Sequence, residues 1–212
     1  RPTRPRTTDL SRRNLLRAGA LAAGAGAAFL GIEGLLRVTG ARGADRRLTG
    51  SHQDGSFDPD RMPVTQWFDD AVPSIDASEW RLLVTSGGVS RSVSLHELTA
   101  FDDRIRAVID CTGGWYAGQD WQGARLDRLL GQVDGSSVLV RSRTGYERRF
   151  PIGDASSIVV ATGVGGAQLS AGHGFPARLV APGRRGYWWV KWIDEIRVDD
   201  TPWWWQPPFP LT

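Results

Sequence analysis

The chain has 212 residues, 41% of them hydrophobic and 23% charged, with 26 Gly, 12 Pro, 10 Trp and a single Cys. That length and ordinary apolar content exclude a collagen-like, disulfide-stapled or wholly disordered protein and predict a real core. The net charge of +3 is unevenly placed: residues 1–50 hold ten arginines against Asp9, Glu33 and Asp45, a local +7, which leaves residues 51–212 at −4. An acidic body lacks the continuous positive face that neutralises phosphates, so nucleic-acid binding is disfavoured. Lys191 is the only lysine, which reads as an arginine-biased composition.

Arg1, Arg4, Arg6, Arg12, Arg13 and Arg17 lie in a cationic flank, residues 1–17, followed by an Ala-, Gly- and Leu-rich stretch at 18–36 whose only charge is Glu33. Nineteen residues at ~1.5 Å each span about 28 Å, close to the ~30 Å hydrocarbon core, which predicts a transmembrane anchor or an export signal. The run Ser11-Arg12-Arg13-Asn14-Leu15-Leu16 resembles the twin-arginine signal of bacterial export. The start at Arg1 leaves open that the segment is instead the last helix of a longer membrane protein. Thr39-Gly40-Ala41 is a poor cleavage site, which favours a retained anchor in a bacterial cell membrane. Each reading puts residues 51–212 on the periplasmic or extracellular side. Residues 37–60, polar and without apolar periodicity, are expected to be a linker.

Along residues 61–198, Trp80 to Val89 is an apolar run stopped by Gly87-Gly88, a strand and turn. Ser94-Leu95-His96-Glu97 is a capping box and predicts a short helix to about Phe101. Alternation at Ile105, Ala107, Ile109 and Cys111 predicts a strand that delivers Cys111 to the Thr112-Gly113-Gly114 turn. Leu126, Leu129 and Leu130 mark a helix; Val138 to Arg143, a segment near Phe150, Ala177 to Ala181 and Trp188 to Val198 mark strands. The fold class is α+β, mostly β.

Three readings are open for the lone Cys111: a buried structural thiol, a nucleophile paired with His52, His96 or His173, and a thiolate ligand to a soft-accepting metal. One cysteine and three scattered histidines offer no zinc spacing.

The runs Val108-Ile109-Asp110-Cys111-Thr112-Gly113-Gly114 and Gly172-His173-Gly174-Phe175-Pro176-Ala177-Arg178-Leu179-Val180-Ala181-Pro182-Gly183, then Val190-Lys191-Trp192-Ile193, resemble the molybdopterin-binding domain of the sulfite oxidase family. With Trp121-x-Gly123 and the Leu126 helix, the resemblance covers about residues 62–198. It implies that Cys111 is the thiolate ligand of molybdenum, whose other sulfurs come from the dithiolene of the pterin. It also implies a molybdenum-molybdopterin cofactor held by Thr65, Thr112, His173, Arg178, Arg184, Arg185 and Lys191. Tyr116 and Asp110, beside the cysteine, are candidate proton or hydrogen-bond participants.

Where sulfite oxidases follow the cysteine with a Gly-Asn-Arg type sequence, this chain has Trp115 and Tyr116. Sulfite is therefore doubtful as the substrate, unless Arg143, Arg148, Arg149 or Arg185 substitutes. Arg148 is expected to be solvated. The family's immunoglobulin-like dimerisation domain is not expected, nor therefore its homodimer. With no c-type haem motif, electrons are expected to pass to a membrane cytochrome b or quinone-linked protein. The Trp/Pro-rich tail, residues 199–212, is either a strap on the domain or a membrane-interface contact. The function expected is oxygen-atom transfer on a small substrate outside the cytoplasm. A cofactor-free binding or assembly module and a Cys111-His173 hydrolase are the rivals.

Overall fold

A computed structural model describes residues 12–41, 44–67, 70–131 and 133–209. The chain divides into two compact units, Arg1–Arg46 and Arg47–Thr212. In the first, α1 (Arg12–Thr39) is one continuous helix of 28 residues, longer at each end than the apolar stretch alone, and none of its residues is buried. By length and composition it can cross a membrane. Arg37 in its last turn complements the helix dipole. The cationic residues Arg1, Arg4 and Arg6, and Ser11 of the arginine motif, lie outside the described residues.

The second unit is built on two sheets. Its strands are β1 (His52–Gln53), β2 (Arg81–Ser86), β3 (Val89–Ser94), β4 (Asp103–Asp110), β5 (Trp115–Arg125), β6 (Ser137–Ser142), β7 (Glu147–Pro151), β8 (Val159–Val164), β9 (Ala167–Gln168), β10 (Arg178–Val180) and β11 (Ile193–Asp199). Two short helices, α2 (Leu95–Thr99) and α3 (Leu126–Leu130), interrupt them. One sheet runs β1-β5-β8-β10 with β4 beside β5 and β9 beside β8; the other runs β3-β2-β11-β6-β7. Leu82, Val140, Ile193 and Ile196 of one sheet and Ala117, Val160 and Leu179 of the other belong to the same buried core. The mixed, mostly β class expected from the sequence is the class observed.

Local signals explain much of this. Ser94 caps α2 through both halves of the capping box, accepting from the Glu97 N–H while its own N–H reaches Glu97. Asp103 to Asp110 pairs with Tyr116 to Gly123, so Cys111 follows directly on a strand end. At Gly123 the register to β8 shifts, and a Cβ there would lie 2.1 Å from the Val160 carbonyl oxygen. Only glycine permits that approach.

The structure departs from the sequence reading at three places. Residues 47–60, expected as a linker, belong to the body. The N–H groups of His52, Asp54 and Phe57 donate to the carbonyls of Gly114, Tyr116 and Gly118 at 3.0, 3.0 and 2.8 Å. Their polarity is spent on backbone pairing, which no apolar periodicity reveals. Trp188 to Trp192 is not strand: Gly186 to Trp188 form a 3-10 turn, and Trp192 has a positive φ of 52°, so β11 begins only at Ile193. Arg148 is 2% exposed, not solvated. Its guanidinium sits 4.1 Å from the Trp188 ring centroid and donates to the Pro207 carbonyl at 3.0 Å.

That last contact belongs to the tail, which lies as a strap on the body. The Gln206 side chain donates to the Arg149 carbonyl at 2.8 Å and accepts from the Arg149 N–H at 3.0 Å, closing the open edge of β7. Trp204 and Trp205 remain exposed on it.

Candidate functional site

Cys111 leaves β4 and enters a tight turn. Its N–H donates to the Trp115 carbonyl at 2.8 Å, and the Gly113 N–H points at its sulfur at 3.3 Å. The side chain lines an open recess in the surface. Thr65, Gln66, Thr112 and Lys191 share the lining, and Trp67, Tyr146, Tyr187 and Trp192 supply aromatic walls. Asp70 is there too, accepting from the Thr144 hydroxyl at 3.1 Å. Burial raises the Asp70 pKa, with that hydrogen bond opposing.

Two cations, Lys191 in the lining and Arg178 outside it, lie within electrostatic reach of Cys111, and neither forms a salt bridge among the described residues. Lys191 Nζ donates to the carbonyls of Thr65 and Gly172, each at 2.8 Å. Burial, helped by the nearby Arg178, pulls its pKa down to about 7. Arg178, 2% exposed, lies over the rings of Trp121 and Trp189 and donates to the His173 carbonyl at 3.1 Å. Its Nε is buried with no partner. Burial pulls the guanidinium down to about 10, partly offset by the Cys111 sulfur, so it stays charged at neutral pH.

Of the other sequence candidates, His173 is buried away from the lining. Its Nε2 donates to the Met62 carbonyl at 3.0 Å and its Nδ1 shares a 2.9 Å hydrogen bond with the Ser170 hydroxyl. Both ring nitrogens are engaged, and burial lowers the ring's pKa. A Cys111-His173 hydrolase therefore has no base in position. Arg184 pairs with Asp154 at 2.9 Å and stacks on Trp188, outside the recess. Arg185 reaches the backbone of Cys111 rather than the recess, donating to its carbonyl at 3.2 Å. Asp110 and Tyr116 do not line the recess: Asp110 pairs with Arg47 and Arg185, and Tyr116 lies under Arg47.

None of the arginines considered as anion binders lines the recess. Arg143 faces Asp194, Arg149 pairs with Asp199, and Arg148 is held under the tail. The sequence reading missed Trp67, Asp70, Ser142, Tyr146 and Tyr187, which come from segments far apart in the chain and carry no motif. Tyr146 is fixed there by a hydrogen bond from its hydroxyl to the Tyr187 carbonyl, and burial raises its pKa.

Residues 69–205 match the family model of the oxidoreductase molybdopterin binding domain. The chain belongs to this family. Among curated relatives, the mitochondrial sulfite oxidase of Homo sapiens is 28% identical over an alignment of 165 positions, covering 60% of this chain and 30% of that protein. The NADPH nitrate reductase of Mycosarcoma maydis is 35% identical over 69 positions, covering 32% of this chain and 7% of that one. The chain thus spans under a third of the length of the curated relatives it matches. The crystal structure of the sulfane dehydrogenase SoxCD from Paracoccus pantotrophus superposes with a TM-score of 0.58 at 22% identity, covering 61% of this chain and 40% of that chain. It shares the fold of this molybdopterin-binding domain.

Proposed function

We propose that this chain binds a molybdenum-pterin cofactor at Cys111 and transfers an oxygen atom to or from a small substrate outside the cytoplasm. The observation that carries the reading is that the one thiol lines a recess with Lys191 and lies within electrostatic reach of both Lys191 and the buried Arg178, neither of which forms a salt bridge among the described residues. Among the described residues no three His, Cys, Asp or Glu side chains gather as a metal cage. A metal at Cys111 therefore takes one protein sulfur and relies on a non-protein ligand for the remainder. The orphaned Nε of Arg178 and the desolvated ammonium of Lys191 are donors suited to an anionic group on that ligand. The donor set fits the cofactor that relatives of this family bind.

When bound, the cofactor supplies the two-electron redox chemistry. The chain's own residues hold and enclose it. Cys111 would offer the sulfur beside Thr65 and Thr112, Lys191 in the lining would neutralise negative charge, and Arg178 would do so from outside the lining. Trp67, Tyr146 and Tyr187 wall the recess, and the Asp70 carboxyl, its pKa raised by burial, can hold a proton there. Among the described residues Lys191 is the sole cation in a lining that also carries Asp70, which argues against sulfite as the substrate.

The apolar α1 supports a membrane location, with a membrane cytochrome b or quinone-linked protein as electron partner. The test is stoichiometric molybdenum and pterin analysis of purified protein with its visible absorption. Metal-free, pterin-free protein from a molybdenum-replete host would sink the reading and leave a cofactor-free binding module.

A further inference from the structure

Outside the recess lining, an ion-pair knot centred on one buried carboxylate holds the residue before Cys111 and the Cys111 carbonyl. Asp110, 6% exposed, is the centre. Its Oδ1 accepts from the Ser51 hydroxyl at 2.7 Å and lies 3.1 Å from Arg185 Nη1; its Oδ2 accepts from the Thr49 hydroxyl at 2.9 Å and lies 3.1 Å from Arg47 Nε. The same Arg185 guanidinium donates from Nη2 to the Cys111 carbonyl at 3.2 Å. Residues 110 and 185 also form a parallel β-bridge. The approach is close at residue 186, where a Cβ in place of glycine would lie 3.0 Å from the Cα of Cys111 and push the turn outward by a few tenths of an ångström.

We infer that Asp110 and Arg185 are positioning residues that fix the Cys111 sulfur at the recess, with residues 47–51 as the third jaw of the clamp. This inference deepens the Cys111 reading and rests on it for its purpose, though not for its geometry. A sulfur that is the one protein ligand of a metal has no other protein ligand to correct its placement. Its backbone must therefore be held from outside, and small displacements of such a ligand lower affinity or activity. The clamp saturates the Asp110 side-chain carboxylate with four donors, and one of them, Arg185, also holds the Cys111 carbonyl. The exposed pair Arg106–Asp120, at 2.8 Å on the neighbouring strands, has none of this burial and serves as the comparison.

The test uses the full chain without cofactor, in which Cys111 is the only thiol to react. Iodoacetamide labelling followed by mass spectrometry reads how often the turn opens. Asp110→Asn and Arg185→Gln should label at least about tenfold faster than wild type, while Arg106→Gln stays within about twofold, because only the former release the turn locally. Ser51→Ala, which removes one donor, should label a few-fold faster and serves if Asp110→Asn does not fold. Wild-type labelling rates in folded Ser51→Ala and Arg185→Gln overturn the inference. So does equal acceleration in Arg106→Gln, which would mean general loosening. In cofactor-loaded protein the same variants should shift the thiolate-to-metal absorption, with Arg185→Lys partly restoring it. An unshifted band in variants that label faster would overturn the positioning role. If no preparation takes up molybdenum, the proposed function fails while the labelling result stands on its own.

Discussion

Lys191 and Arg178 grip neighbouring carbonyls of one turn, Lys191 Nζ on Gly172 at 2.8 Å and Arg178 Nη1 on His173 at 3.1 Å. Two like charges are thereby held close enough for Arg178 to depress the pKa of Lys191, with Cys111 and Asp70 opposing more weakly and no salt bridge to either cation among the described residues. Folding alone would not favour this arrangement, since each buried cation carries a desolvation cost. An anion placed between them would relieve it.

The first expected consequence is a pH dependence. The folded-state pKa of Lys191, near 7, lies below its unfolded value of 10.5. Below pH 7 the lysine is protonated in both states and the full cost of burying the ammonium is present. As the pH rises towards 10.5 the folded protein sheds the proton first, and the cost fades. Cofactor-free protein should therefore gain about 1 to 3 kcal/mol relative to Lys191→Met between about pH 7 and about pH 10. Urea titrations of both proteins at the two pH values measure it; parallel behaviour would remove the buried charge from Lys191.

Arg178 and Arg148 are both buried, and their roles separate in the readout. Arg178→Ala should lower molybdenum per folded molecule, since a charge-assisted donor is lost from the cofactor side. Arg148→Ala should keep its metal but lose about 2 kcal/mol or more of stability, because it frees the strap at Pro207 and vacates the space beneath Trp188. Metal analysis paired with thermal melts distinguishes the two; equal molybdenum in both variants would take Arg178 out of the site.

Cys111→Ser should fold with stability within about 1.5 kcal/mol of wild type, since the two side chains differ little in volume. It should lose the thiolate-to-metal band and fall in turnover by about 100-fold or more, because oxygen is a harder ligand than sulfur. Undiminished turnover with any working substrate would exclude the ligand role.

If α1 crosses a membrane, the full chain should resist a high-salt wash, which strips electrostatic attachment but not a spanning helix. Removing residues 1–46 should release a soluble body that still binds cofactor. The cut belongs before Arg47 because Arg47, Thr49 and Ser51 all bond Asp110 behind the cysteine. Truncation at residue 50 should therefore yield a body with a more reactive Cys111. Salt-extractable full-length protein would sink the anchor.

What the sequence determined by itself was whatever depends on neighbours along the chain. The capping box at Ser94 and Glu97, the alternation leading into Cys111 and the apolar length of α1 all act within a few turns of backbone, and all are present as read. The blocks around Cys111, Arg178 and Lys191 pointed to a family that the match over residues 69–205 then showed. Other features depend on what lies across a sheet. Trp115 to Arg125 carries glycines and polar residues that obscure alternation, yet it is the longest strand, since β1, β4 and β8 all pair with it. Arg148 has the residue type of a solvated side chain, and only the tail folding back over Trp188 buries it. Trp67, Asp70, Tyr146 and Tyr187 meet at the recess from distant segments, and only the tertiary structure brings Arg47 and Arg185 onto Asp110. Local propensity acts over a few residues, whereas burial and charge pairing are fixed only when distant segments are brought into contact.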